Sequence, residues 1–325
     1  MSVSRTESPS ILASLRKRLL GGLGTFIGLF LLLMVFSLLS DVFLTAGNLR
    51  NILIQAATNA IIAAGMTFVI IAGQIDLSVG SMLALTSVIS AQIMLDMESL
   101  FVGVVVALVL GTILGVINGF FVAYMGFPAF IVTLATMWLY RGTAYVLSNG
   151  QAIVGLPEGL MELATGRTIG IPNIVWVVIA VYLLSFLILS KLTIGRKIYA
   201  TGDNQESARL SGINVKAIQV LVFSISGFFT AIAAIVLMSR LNSAQPVAGS
   251  SYELMAIAAA VIGGTSLTKG GVGSILGTLV GAVFIASLLN GLVILNVSSF
   301  WQQVVMGLVI LAAVGIDKYR KKFAS

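Results

Sequence analysis

Of 325 residues, 58% are hydrophobic and 9% charged, against about 25% charged in a soluble domain, so the chain reads as an integral membrane protein whose apolar surface lipid must cover. It holds no His and no Cys, which excludes imidazole metal sites, His-based acid–base catalysis, disulfides and cysteine nucleophiles. The net charge of +7 comes from 18 basic and 11 acidic residues, and their placement along the chain decides what that charge means.

A polar, basic start with Arg5, Arg16, Lys17 and Arg18 leads into an apolar run over residues 19–39, with no small-residue cleavage site after it. This pattern predicts a retained signal anchor rather than a removed signal peptide. Further apolar runs lie at 52–73, 77–95, 100–124, 129–147, 173–190, 217–239, 254–266, 272–295 and 300–316, each near the ~20 residues that a crossing needs except 254–266, the eighth of the ten counted from 19–39. The expectation is an all-α polytopic membrane protein of about ten transmembrane helices, some short or broken. The eighth run abuts a glycine-rich turn and reads as a half-helix. No linker or low-complexity tract divides the chain, which gives a tail over 1–18, a single transmembrane domain over 19–317 and a basic tail over 318–325.

With the N-terminus inside, the inner segments hold Arg5, Arg16, Lys17, Arg18, Lys191, Arg196, Lys197, Arg209, Lys216, Lys269, Lys318, Arg320, Lys321 and Lys322, and the outer ones only Arg50, Arg167 and Arg240. Fourteen against three predicts both termini on the cytoplasmic face and makes the charge a topology signal, with no nucleic acid among the expected partners.

Between residues 52 and 95 the only charged side chain is Asp76, and a carboxylate at mid-bilayer costs roughly 2.5 to 3.5 kcal/mol on the insertion scale. It either caps the span that starts near Leu77 or orders a broken helix beside a conduction path. Arg141 lies inside the 129–147 run, from which it could snorkel outward. The same run carries Thr133, Thr136, Trp138, Tyr140, Thr143 and Tyr145, a mixture of hydroxyls and rings that suits a sugar and equally suits helix packing with an interfacial aromatic belt. Asn59, Asn118 and Asn290 lie in other spans, as interhelical hydrogen-bonding groups or as pathway lining. Asp76, Asn59, Asn118, Thr136, Tyr140, Arg141 and Tyr145 are the candidates for a translocation pathway. Glu253, three residues after Ser250, has capping-box spacing. The glycine-rich stretch 263–271 lacks P-loop spacing and reads as a turn, while Gly277 and Gly281 permit close helix packing.

The longest cytoplasmic segment, 191–216, contains a helix signal of its own: Asp203 as N-cap, Glu206 three positions on, and Gly212 as a left-handed stop. A helix of about two turns is marginal alone, so it is either a well-capped surface loop or a docking element for a partner.

At these residues the chain resembles a known family. Gly202-Asp203-Asn204 through Ala208-Arg209-Leu210-Ser211-Gly212-Ile213 resembles the coupling loop of ribose-type ABC sugar importer permeases. Gln74-Ile75-Asp76-Leu77-Ser78-Val79-Gly80, Arg141-Gly142, Ser243-Ala244-Gln245-Pro246, Tyr252-Glu253-Leu254 and Ile262-Gly263-Gly264-Thr265-Ser266-Leu267 resemble further signatures of that family in the same order. Two positions depart from it: Gln74, where members usually carry Gly, and Ser207, where Ala is common.

The resemblance implies a permease subunit of an ABC importer in the bacterial inner membrane, moving a monosaccharide such as ribose inward. It further implies a second permease copy, a cytoplasmic ATPase that binds ATP and Mg in place of any cofactor on this chain, and a periplasmic or lipid-anchored sugar-binding protein. Asp203, Asn204, Glu206, Ala208, Arg209, Ser211 and Gly212 would then couple to the ATPase. No catalytic or metal-binding residues are expected. An ion-coupled secondary transporter is the alternative, and Asp76 its only intramembrane acid in the 52–95 stretch; a membrane enzyme finds no carboxylate or nucleophile–base pair among the spans.

Overall fold

The computed structural model describes the backbone of residues 11–322 and the side chains of residues 24–315, 317 and 318. Of the expected tails, residues 1–10 and 323–325 lie outside the described residues, as do the side chains of Arg16, Lys17, Arg18, Arg320, Lys321 and Lys322.

Thirteen helices are described: α1 (Ile11–Leu39), α2 (Ala46–Ile71), α3 (Val79–Asp96), α4 (Leu100–Ala123), α5 (Ala129–Ser148), α6 (Glu158–Thr165), α7 (Asn173–Ser190), α8 (Thr193–Asp203), α9 (Gln205–Leu210), α10 (Val215–Leu241), α11 (Tyr252–Ile262), α12 (Ile275–Ile294) and α13 (Ser299–Lys322). Two-residue strands form two antiparallel pairs, β1 (Ile153–Val154) with β4 (Ser243–Ala244) and β2 (Arg167–Thr168) with β3 (Ile171–Pro172).

Each predicted apolar run falls on a helix. Among the described residues seven helices, α2, α3, α4, α5, α7, α10 and α12, are long and apolar enough to cross a membrane, and the apolar stretches Gly24–Leu39, Tyr252–Ile262 and Ser299–Gly315 are shorter. α11, with 11 residues, extends about 16 Å at the helical rise, half of a hydrocarbon core. The helix α2 starts earlier than its apolar run, at Ala46, because the Thr45 hydroxyl accepts from the Asn48 amide and caps it.

α2 is the central post. Its best 18-residue window is 89% buried inside the protein, against 28% for α4, α5 and α7, as expected for a helix that is apolar on every side. Around it stand α7, α10, α11 and α12; α4 lies on the far side of α10, α1 on α12, and α3 between α4, α5 and α10.

The α4–α10 crossing is backbone on backbone. Gly111, Gly115 and Gly119, four residues apart, face α10, and a Cβ on Gly115 would run into the Phe223 carbonyl. A Cβ on Gly227 would strike the carbonyl of Gly111. Small residues at this spacing let helices associate through van der Waals contact in lipid, where no hydrophobic effect drives them together. The expectation for Gly277 and Gly281 holds by the same geometry, against the Gly263 and Ala259 carbonyls.

Gly227→Leu is expected to abolish a monodisperse peak in detergent size-exclusion chromatography, since overpacking costs about 1 to 3 kcal/mol even where neighbours can yield and here the neighbour is backbone. Gly307→Leu, with nothing within 4 Å of the added carbon, should leave the peak unchanged.

Candidate functional site: two broken segments and a two-helix loop

The chain between α2 and α3 is interrupted inside the bundle. Gly73, at φ +77°, ends α2, with the Gln74 amide donating to the Val69 carbonyl, and residues 74–76 have no regular structure. Polar groups freed inside an apolar bundle need partners, and Asp76, with no exposed surface, supplies them. Its Oδ1 accepts from the Ser78 amide at 2.9 Å and the Ser78 hydroxyl at 2.6 Å, and its Oδ2 accepts from the Ser226 hydroxyl of α10 at 3.2 Å. The Asn118 Nδ2 of α4 donates to the Ser78 Oγ at 2.8 Å. The Tyr140 hydroxyl of α5 points to the Leu114 carbonyl at 3.1 Å and to the Asn118 Oδ1 at 3.4 Å. Asp76 is not the N-cap of α3, which is Ser78 without a side-chain cap bond; its carboxylate holds the turn into α3 and ties the break to α10 and, through Ser78, to α4.

A second irregular stretch, 242–251, links α10 to α11 and meets the first. Gly249, at φ +73°, lies against the Gly80 carbonyl, and a Cβ on Gly80 would collide with Gly249. Arg141 does not snorkel outward. Its Nη1 donates to the Pro246 and Ala248 carbonyls, both at 2.6 Å, and so clamps this stretch to α5. Two carbonyl partners within the protein satisfy the guanidinium where lipid would leave it bare. The Ser250–Glu253 capping box is not made: the Ser250 hydroxyl donates back to the Val247 carbonyl, and the N-cap is Ser251 at φ 67° without a side-chain cap bond.

Of the other pathway candidates, Thr136 donates to the Thr133 carbonyl of its own helix, and Tyr145 faces outward. The hydroxyls of Thr133 and Thr143 likewise bond to carbonyls of the preceding turn, so this run presents fewer free hydroxyls than its composition suggests. Asn290 accepts from the Asn48 Nδ2 at 2.9 Å, an interhelical bond. Asn59 stands apart: it is buried, neither amide atom has a partner, and it lines a cavity beside Arg240. Arg240, read from sequence as an outer-loop cation, lies partly buried in the last turn of α10 with its Nη1 3.4 Å from the Thr58 hydroxyl.

The 191–216 segment holds two helices, not one. Asp203 is the last residue of α8, and Asn204 caps α9, its Oδ1 accepting from the Ser207 amide at 2.9 Å. The N-cap thus sits one residue later than expected. Glu206 does not reach back to close a capping box; it pairs with Arg209, whose Nε and Nη2 donate to its two oxygens, and this guanidinium holds the Glu206 carboxyl below the usual carboxylate range. Both side chains are 65% exposed, so the pair adds little stability. Gly212 does close the helix at φ +81°. Ala208 anchors α9 while Glu206, Arg209, Leu210 and Ser211 face outward, Leu210 with 74% exposure.

α8 is seated on the bundle through Gly202, whose missing Cβ would overlap the Ile71 carbonyl at the end of α2. That carbonyl accepts from the Gly271 amide at 2.8 Å, Lys269 pairs with Asp203 at 3.3 Å, and the Tyr199 hydroxyl donates to the Gly273 carbonyl at 3.0 Å. Among the described residues no group of three or more metal-binding side chains comes together.

Two substitutions separate these roles. Asp76→Leu leaves the Ser78 and Ser226 hydroxyls without their acceptor and should lower the melting temperature strongly, by the equivalent of about 2 to 5 kcal/mol. Asp76→Asn keeps an acceptor on Ser78 and should cost under half of that in the same thermal scan.

Residues 48–314 match the family model of the branched-chain amino acid transport system / permease component. The chain is 46% identical to the ribose import permease protein RbsC of Haemophilus influenzae, over 91% of this chain and 92% of that protein. It is 45% identical to RbsC of Bacillus subtilis, over 93% and 94%, and 38% identical to the L-arabinose transport system permease protein AraH of Escherichia coli, over 86% and 85%. No solved structure matches the chain. With its two broken segments and its external two-helix loop, the chain belongs to the family of branched-chain amino acid transport system permease components.

Proposed function

We propose that the protein is the membrane-spanning subunit of an ATP-driven importer for ribose or a closely related monosaccharide, built into the bacterial inner membrane with a second permease copy. The observation that carries the reading is the likeness to ribose import permeases over nine-tenths of the chain, joined to an exposed helix, α9, capped at both ends. Both termini and residues 191–216 lie in the cytoplasm, in line with the basic residues. An ATPase bound there holds ATP and Mg, and a periplasmic or lipid-anchored binding protein delivers sugar to the opposite face.

α9 is the element that the ATPase grips. An ATPase drives conformational change only through contacts that differ between two states, and α9 offers a rigid handle with Glu206, Arg209 and Leu210 outward. From there the path is short: α8 continues from α9, and Gly202 of α8 rests on the end of α2 just before the Asp76 break. The alternative of ion coupling draws less support, because the Asp76 oxygens are taken up by Ser78 and Ser226, leaving the group committed to the turn.

In proteoliposomes containing the full complex, sugar uptake should require ATP on the cytoplasmic side and persist without a proton or sodium gradient; gradient-driven uptake without ATP would overturn the reading. Single cysteines, clean in a chain with none, test topology: Ser4→Cys and Ser325→Cys should resist an impermeant thiol reagent in intact cells, and Glu162→Cys should react.

At the loop, Gly212→Val should leave membrane insertion intact, since a β-branched residue at φ +81° strains only the stop of α9. Co-purification of the ATPase or its stimulation by loaded binding protein should fall. Asn204→Ala, which removes a cap worth about 0.5 to 2 kcal/mol, should act the same way and more strongly than Asp203→Ala.

A further inference from the structure

A cavity of about 220 Å³ between α2, α10, α11 and α12 is lined by Gln55, Asn59, Arg240 and Tyr252 together with apolar residues including Ala282, Ile285 and Leu289. Asn59 is only 7% exposed, and neither its Oδ1 nor its Nδ2 has a hydrogen-bond partner. A buried amide with both ends unpaired costs about 1 to 3 kcal/mol per group, a cost that a fold tolerates where a ligand repays it. Arg240 is partly buried beside it, and among the described residues the two ion pairs lie elsewhere, at Arg209–Glu206 and Lys269–Asp203.

We propose that this cavity is a subsite for one neutral monosaccharide ring, held through Asn59 and Arg240. The inference rests on the import reading above and extends it to a place inside the protomer.

The chemistry of the wall selects the ligand. Arg240 only donates, whereas Asn59 and Gln55 each offer an acceptor as well as donors, and Tyr252 can do either. Sugar hydroxyls both donate and accept, so they can serve all four side chains. A carboxylate only accepts and would leave the Asn59 oxygen as bare as before. The apolar wall of Ala282, Ile285 and Leu289 suits the C–H face of a sugar. The volume is below the roughly 300 Å³ at which pockets for drug-sized ligands begin, which fits a single ring and excludes a disaccharide. Met255 and Leu289 also line a neighbouring groove that holds Ser250, Ser251, Gln302 and Gln303, so a polar approach to the cavity lies across one side-chain wall.

The test uses a thiol placed in the cavity wall. Ala286→Cys adds a small, near-isosteric group at a residue that lines the cavity, in a chain that otherwise has no Cys. In the full complex in lipid nanodiscs, the neutral reagent methyl methanethiosulfonate should modify this thiol, and D-ribose should slow the reaction saturably, with 2-deoxy-D-ribose weaker. Adding Asn59→Leu should raise the half-protecting D-ribose concentration at least roughly tenfold, the scale of one lost hydrogen-bonding pair. The subsite is overturned if D-ribose gives no protection, if glycerol at equal osmolarity protects as well, if D-ribonate protects better, or if Asn59→Leu leaves protection unchanged. A thiol that reacts only after denaturation overturns it too, because the cavity is then closed to small solutes. ATP-driven D-ribose uptake by the same complex without the cysteine reads the import assignment separately: uptake without protection removes the subsite and leaves the importer standing.

Discussion

Lipid offers no hydrogen bonds, so a membrane protein can interrupt a helix only where it supplies the missing partners itself. In this chain the break between α2 and α3 meets that demand at Asp76. One carboxylate, bonded to Ser78 twice and to Ser226 once, holds the turn between the end of α2 and the start of α3. Because α3 starts there, Gly80 can accept Gly249 of the second irregular stretch against its backbone. Because that stretch is held there by Arg141, α11 can be a half-length helix.

The two breaks also explain why charges survive in so apolar a bundle. Asp76 is spent on two hydroxyls and an amide, and Arg141 on two carbonyls. Neither has an opposite charge at contact distance, since the ion pairs among the described residues are Arg209–Glu206 and Lys269–Asp203. Neutral dipoles fixed in place do the work of solvent, which avoids the desolvation cost of bringing two ions together in low dielectric.

The helices were legible because a run of about 20 apolar residues has few other fates, and the half-helix was legible because residues 254–266 were too short and ran into glycine. The site was legible only as a set of names. Asp76, Asn118 and Tyr140 stood out as polar residues in apolar runs, yet what joins them is Ser78, and Ser226 lies 150 residues from Asp76 in the chain; no local pattern encodes that distance. The direction of Arg141 is not legible in the sequence, because position in a helix allows snorkelling, whereas its carbonyl partners come from a loop more than 100 residues away. α8 escaped notice because its sequence, TIGRKIYATGD, has neither the length nor the hydropathy of a span. The cap of α9 slipped by one because Asp203 and Asn204 are both good caps and only the backbone of α8, which extends through Asp203, decides between them. The glycines of α4 carry a readable four-residue period, which implies a closely packed helix partner but does not say that the partner is α10.

The seat of α8 on α2 has a mechanical meaning. Side chains transmit force poorly, since each rotatable bond can absorb a displacement by changing rotamer. At Gly202 there is no side chain: its backbone lies on the Ile71 carbonyl, which is itself bonded to the Gly271 amide. Backbone from three distant parts of the chain therefore meets at one point, with no side chain between α8, the end of α2 and the loop that precedes α12 to absorb a shift of α8 by changing rotamer.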